Sequence, residues 1–150
     1  MSGTVALRPA RSEDHDFAFG LYVETIKPYT IAFMPWVDAV ETARFARLWA
    51  PADTRVITLD GADVGWLETI DTGAEFVLKQ FYIAPAEQQR GIGTHVMDLL
   101  LKEWESAGKP IVLNVLKNNP ARRLYERLGF ALVGETDMKF LMRREAAAGG

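Results

Sequence analysis

Residues Phe76 to Ala107, FVLKQFYIAPAEQQRGIGTHVMDLLLKEWESA, constrain this chain more than any other stretch. An apolar run rich in β-formers, Phe76 to Ile83, is followed by Pro85, which forbids a simple continuation of the strand. Gln88-Gln89-Arg90-Gly91-Ile92-Gly93 comes next, and a helical pattern begins at once. Ile92, Val96, Leu99 and Leu100 share one face, widened by Met97, Leu101 and Trp104. Thr94, Asp98, Lys102 and Glu105 take the opposite arc, and Gly108 closes the helix. A glycine turn between a strand and a helix exposes backbone N–H groups, and the macrodipole adds roughly half a positive charge. Two readings follow: a loop that cradles a phosphate, or a tight turn with no ligand.

Two phosphate-loop patterns fail on the residues. A Walker loop needs G-x-x-x-x-G-K-S/T, which is absent. A dinucleotide fingerprint needs a third glycine where Val96 stands, and an acid about twenty residues on, where Leu113 and Asn114 stand.

The remaining chain reads as one α/β domain of 150 residues. Thr4 to Pro9 predicts a first strand. Ser12 predicts a helix cap, with Glu13, Asp14 and Asp16 in the first turn and Pro28 as the stop. Lys27 to Val37, KPYTIAFMPWV, sets Tyr29, Phe33, Met34 and Trp36 between two prolines. An irregular apolar segment of this kind either caps a core or lines a cleft. Asp38 and Glu41 predict a capping box for a second helix through Val40, Phe45 and Leu48, ended by Pro51. Arg55 to Leu59, Val64 to Ile70 and Glu75 to Ile83, with turns at Asp60-Gly61 and Asp71-Thr72-Gly73, predict an antiparallel meander. Ile111 to Val115 predicts a strand and Asn119-Pro120 a helix start. Ala131 to Glu135 and Met138 to Arg143 predict closing strands, and residues 145–150 a frayed tail.

Composition narrows the function. There are no cysteines, which excludes disulfides, thiolate catalysis and Cys-ligated metal. His15 and His95, both expected at the surface, have no zinc-binding spacing, so no metal is expected. A net charge of −3 with a pI near 5.4 argues against nucleic acid as the main partner. No apolar run reaches membrane-spanning length, and Met1 to Ala10 lacks a signal-peptide core. The expectation is a cytoplasmic protein without a membrane partner.

Gln88, Gly91 and Gly93 after an apolar strand resemble motif A of the GNAT N-acetyltransferase family, Q/R-x-x-G-x-G/A. Asn118, Ala121, Leu124, Tyr125, Gly129 and Phe130 resemble its motif B, roughly N-x-x-A-x-x-L-Y-x-x-x-G-F. The two come in family order, and the resemblance in element order covers essentially the whole chain. It implies a GNAT-like mixed, mostly antiparallel sheet with helices on both faces, splayed after the glycine-loop strand. It also implies acetyl transfer from acetyl-CoA to a primary amine of a small molecule or peptide. A homodimer is common in the family.

The resemblance places the coenzyme on Phe81, Tyr82 and Ile83 of the strand and on Gln88, Gln89, Arg90, Gly91, Ile92, Gly93 and Thr94 of the loop. It makes Tyr125 the general acid toward the leaving thiolate. Counting back from Tyr125 selects Asn118 as the coenzyme contact, whereas cap grammar selects Asn119. The family's two common base positions fall near Val77 and at Asn114, neither of which takes a proton. Glu68, Glu75 and Glu24 are the remaining acids; Glu68, within GWLETI, is the best of them, as a carboxylate among apolar neighbours that is either outward-facing or functional, and a water relay is the alternative. Tyr29, Phe33, Trp36 and Asn114 are assigned to the acceptor. The missing acids keep open a non-catalytic acyl-CoA-binding module.

Overall fold

The computed structural model describes residues 3–88 and 90–146. Its described residues form a seven-stranded sheet in the order β1-β2-β3-β4-β5-β7-β6. Strands β1 (Val5–Pro9), β2 (Thr54–Leu59), β3 (Ala62–Asp71) and β4 (Phe76–Ile83) run antiparallel in sequence. Asp60 and Gly61 both adopt positive φ, 53° and 85°, which is the tight two-residue hairpin that Asp-Gly favours. β5 (Ile111–Leu116) lies parallel to β4, and β7 (Lys139–Arg144) pairs antiparallel with both β5 and β6 (Ala131–Glu135). The sheet is thus mixed and mostly antiparallel, as expected.

Helices cover both faces. α3 (Ile92–Trp104) and α4 (Ala121–Arg127) bury Val96, Met97, Leu100 and Tyr125 against Ile57, Leu67 and Leu78. The rings of Phe76 and Trp104 stack at 4.5 Å, fixing the far end of α3 on β4. On the other face α1 (His15–Thr30) and α2 (Asp38–Leu48) enclose Ala18, Leu21, Phe45 and Trp66. Trp66 is fully buried there and donates from Nε1 to the Ala18 carbonyl at 3.1 Å, which satisfies its one polar atom. Among the described residues no helix is long and apolar enough to cross a membrane.

Four local expectations need correction. Pro28 does not stop α1, which runs on to Thr30. The proline sits in the last turn, and the helix closes beyond it with the Ile31 N–H on the Lys27 carbonyl at 3.1 Å. The carbonyl it leaves unmatched belongs to exposed Glu24, where water can serve it. Ser12 does not cap α1; a 3-10 turn spans Ser12–Asp14, and the Asp14 carboxylate takes the Arg11 N–H at 2.8 Å. Asp38 and Glu41 form no capping box. Asp38 instead accepts from Trp36 Nε1 at 3.0 Å, and Glu41 turns inward. His15 is half-buried rather than solvated, its ring 5.4 Å from that of Phe45 and 6.0 Å from that of Trp49.

Candidate active site

β4 and β5 pair only at Phe76–Ile111, Val77–Val112 and Leu78–Leu113, and then part. The reason lies one residue further along. Glu68 pairs with Gln80 and Thr69 with Leu78, so Lys79 is an unmatched bulge in β4. A single extra residue reverses the alternation of a strand. Phe76 and Leu78 point to the α3 face before the bulge; Phe81 and Ile83 do so after it, while Tyr82 packs toward α1 and α2. Beyond the bulge the two strands diverge around a cleft of about 520 Å³, walled by both strands and by α1 and α2. The cleft therefore links the two faces of the sheet at the point where the strands part.

The glycine turn leads out of β4 on the α3 face. Gln88 donates from Nε2 to the Ile83 carbonyl at 2.9 Å, and Arg90 pairs with Glu87. Gly91 takes φ 79°, a left-handed conformation that glycine adopts without strain, and it turns the chain into α3. Gly93 is different: a Cβ there would lie 3.4 Å from Leu124 and 3.5 Å from Ile83, ordinary contact distances, so packing alone does not demand glycine at this position. The first turn of α3 has no side-chain cap and no acid, whereas α1 and α2 begin with Asp16 and with Asp38 and Glu41. The N–H groups of Ile92, Gly93 and Thr94 and the positive end of the dipole are left for an anion. Gln89 lies outside the described residues.

Tyr125, near the middle of α4, is buried, and its side chain forms part of the cleft wall. Its ring meets Phe130 edge-on at 5.8 Å, but no described residue takes a hydrogen bond from its hydroxyl. Burial pushes the phenol well above its ordinary value, so it keeps its proton across the physiological range. Tyr82 is raised as well, chiefly by burial, and its hydroxyl donates to Gln80. Asn119 reaches the cleft, and its Oδ1 accepts the Ala121 N–H at 2.9 Å, the bond expected of a cap. Asn118 faces elsewhere, donating from Nδ2 to the Tyr29 carbonyl at 3.1 Å.

The acids fall in two places. Glu68 is only 3% exposed on the α1/α2 face, and its Oε2 lies 3.7 Å from Lys79 Nζ. Burial raises its pKa and Lys79 opposes the shift. Lys79 is part of the cleft wall; Glu68 is not. Glu41, expected in a helix cap, is 4% exposed and lines the cleft. It accepts from Arg44 Nη1 at 2.9 and 3.3 Å. Tyr22 stands beside this pair; its phenol is raised by burial and then by the charge of Glu41, with Arg44 opposing. A signal for Glu41 exists in the sequence: it shares a helical stripe with Phe45 and Leu48, at i+4 and i+7.

Of the residues assigned to the acceptor, Asn114 lines the cleft. Tyr29, Phe33 and Trp36 do not, and Thr30 and Met34 of the same segment do. Trp36 packs on Tyr22 at 6.0 Å instead, with Lys27 Nζ 5.9 Å from its ring.

No curated protein matches the chain. Solved structures do. The PaiA N-acetyltransferase of Thermoplasma acidophilum, in complex with coenzyme A, aligns over 95% of this chain and 99% of that one, with a TM-score of 0.77 at 15% identity. The ribosomal-protein-S18-alanine N-acetyltransferase of Escherichia coli aligns over 98% and 97%, with a TM-score of 0.72 at 21% identity. Ard1 of Thermoplasma volcanium aligns over 95% and 98%, with a TM-score of 0.68 at 18% identity. At such identities the likeness speaks for the fold. The family pattern of the acetyltransferase (GNAT) domain matches residues 47–132, more than half of the chain and the whole of the glycine turn, so the protein belongs to the GNAT acetyltransferases.

Proposed function

We propose that the protein moves an acetyl group from acetyl-CoA to a primary amine of a small molecule or peptide. The observation that carries this reading is the cleft at the parting of β4 and β5, into whose wall Tyr125 brings a protonated hydroxyl with no hydrogen-bond partner among the described residues. The open first turn of α3 suits the coenzyme's pyrophosphate on one face. Beyond Leu78, β4 has no partner toward β5, so its backbone there is free to pair with the thioester arm. The amine arrives from the α1/α2 face.

The chemistry balances with these parts. The amine nitrogen attacks the thioester carbonyl carbon and the C–N bond forms. Backbone N–H groups of the free β4 edge are suited to hold the charge that develops on oxygen. The C–S bond then breaks and its electron pair leaves on sulfur. Tyr125 gives its proton to that thiolate. A phenolate in this buried position is costly, so the proton returns from the attacking nitrogen through water. Glu68, with a raised pKa and set behind Lys79 off the cleft wall, takes up the amine's first proton through a water relay rather than by direct contact.

Thiol release from acetyl-CoA over a panel of amines tests the reading, with coenzyme binding measured separately by thermal shift. Binding at a hundredfold excess over Kd stabilises a fold by about 2.7 kcal/mol. Stabilisation together with turnover supports the transferase. Stabilisation without turnover on any amine favours a non-catalytic acyl-CoA-binding module, and neither effect rejects both. In Glu68→Gln, loss of activity should be greatest below the acceptor's pKa and should shrink as pH approaches it.

A further inference from the structure

Glu41 and Arg44 form a built feature of the cleft that acetyl transfer does not by itself require. We propose that Arg44, braced by Glu41, selects the acceptor, and that the acceptor is an amine carrying a carboxylate. This rests on the transferase reading above and names its substrate class.

Glu41 is 4% exposed, so its carboxylate is in no position to take up a ligand itself. It engages Arg44 through Nη1 alone, at 2.9 and 3.3 Å. Arg44 Nε and Nη2 donate no hydrogen bond within normal distance among the described residues, and the Tyr22 phenol stands beside the guanidinium. Nε and Nη2 lie on one edge of the planar guanidinium, the fork that matches the two oxygens of a carboxylate. The Arg44 side chain is 43% exposed and forms part of the cleft wall. Glu41 therefore acts inward, as an anchor that orients the fork, and Arg44 acts outward.

Charge and placement agree. The ionised groups along the cleft are Arg44, Lys79 and Lys139 against Glu41 alone, within a chain whose net charge is −3. Lys79 is engaged by Glu68 at 3.7 Å; Lys139 of β7 lies on the same face by strand alternation, whereas Arg44 is the cation that a buried carboxylate fixes in orientation there. The coenzyme's own anionic groups have a place at the first turn of α3, on the opposite face of the sheet. Ile26, Phe45 and Leu48 beside Arg44 suit an apolar body between the acceptor's two polar ends. An α-amino acid with an aliphatic or aromatic side chain has that form.

The test uses matched trios: leucine, leucinamide and isopentylamine, then phenylalanine, phenylalaninamide and phenethylamine. The wild-type kcat/KM should favour each acid over its amide by at least about tenfold, the usual scale of a charge-assisted pair. Arg44→Gln should bring that ratio close to one, and Arg44→Lys should leave an intermediate value. Because Arg44→Gln strands a buried carboxylate, Glu41→Gln/Arg44→Gln is made alongside it, and the CoA thermal shift shows that each variant is folded. A wild-type ratio of one or less, or a ratio that Arg44→Gln leaves unchanged, overturns the proposal. If no amine turns over, calorimetry of leucine and leucinamide with CoA present decides. Preference for the acid that disappears with Arg44 upholds the site while the transferase reading falls; no preference overturns both.

Discussion

Asn118 donates from Nδ2 to the carbonyl oxygen of Tyr29 at 3.1 Å, joining the loop after β5 to the last turn of α1. The bond ties one wall of the cleft to the other and runs away from the α3 turn. Asn118→Ala should lower stability by about 1 kcal/mol, the usual net value of such a bond. Asn119→Ala should cost a similar amount by removing the cap on the Ala121 N–H. Chemical denaturation of both variants with and without CoA separates the roles. A CoA affinity that falls in Asn118→Ala, at unchanged stability, would reassign Asn118 to the coenzyme.

The open first turn of α3 yields a prediction with two opposite signs. Thr94 is exposed there, and no acid precedes it in the helix. Thr94→Asp should stabilise the ligand-free protein by about 0.3–1 kcal/mol through the macrodipole. The same charge should repel a pyrophosphate and weaken CoA binding. Melting curves and CoA titration read the two effects independently. Higher stability with unaltered CoA affinity would remove the phosphate site from this turn.

Tyr125→Phe deletes one oxygen and keeps a ring packed against Phe130. CoA affinity should survive, while kcat should fall by about a hundred- to ten-thousandfold. The lower end is favoured, since a thiol with a pKa of about 8.5 leaves tolerably unaided. The loss should persist at saturating amine, because the interaction is made in the transition state. Full activity in steady-state thiol release would strip Tyr125 of the acid role.

The start of α1 carries a pH signature. Arg8 forms two hydrogen bonds with Asp14, both at 2.9 Å, and holds its carboxyl at about 2, below the ordinary 3.8. A depressed carboxylate stabilises the fold above its unfolded pKa and loses that contribution as pH falls through the folded one. Asp14→Asn should therefore melt below wild type at pH 7, and the gap should close between pH 4 and pH 2. A gap that is constant across this range would mean that the ion pair contributes nothing to stability.

Much of the architecture was legible because its signals are local. Asp60-Gly61 dictates a hairpin through its positive φ angles, and Gly91 dictates the turn into α3 for the same reason. Asn119 followed by Pro120 marks the start of α4, and the Asn119 side chain caps it. Period-two and 3.6-residue patterns placed each strand and helix within a few residues of its observed bounds. The order of elements follows from these, and with it the family likeness.

Only the tertiary structure decided where side chains meet across the sheet. The bulge at Lys79 reverses the facing of everything after it in β4, and nothing in FVLKQFYI marks that residue as unmatched, because a bulge is a property of two strands together. Whether Pro28 ends a helix depends on whether the carbonyl it frees can reach water, and at exposed Glu24 it can. Trp36 and Thr30 lie in one apolar segment, yet Thr30 lines the cleft while Trp36, beyond the end of α1, packs on Tyr22, a contact fourteen residues away in sequence. Glu41 shows the limit most clearly. Its chain position fits a helix cap and an apolar stripe equally well, and burial against Arg44 at the cleft wall is settled by the packing of α2 on β3 and β4, through contacts distant in sequence.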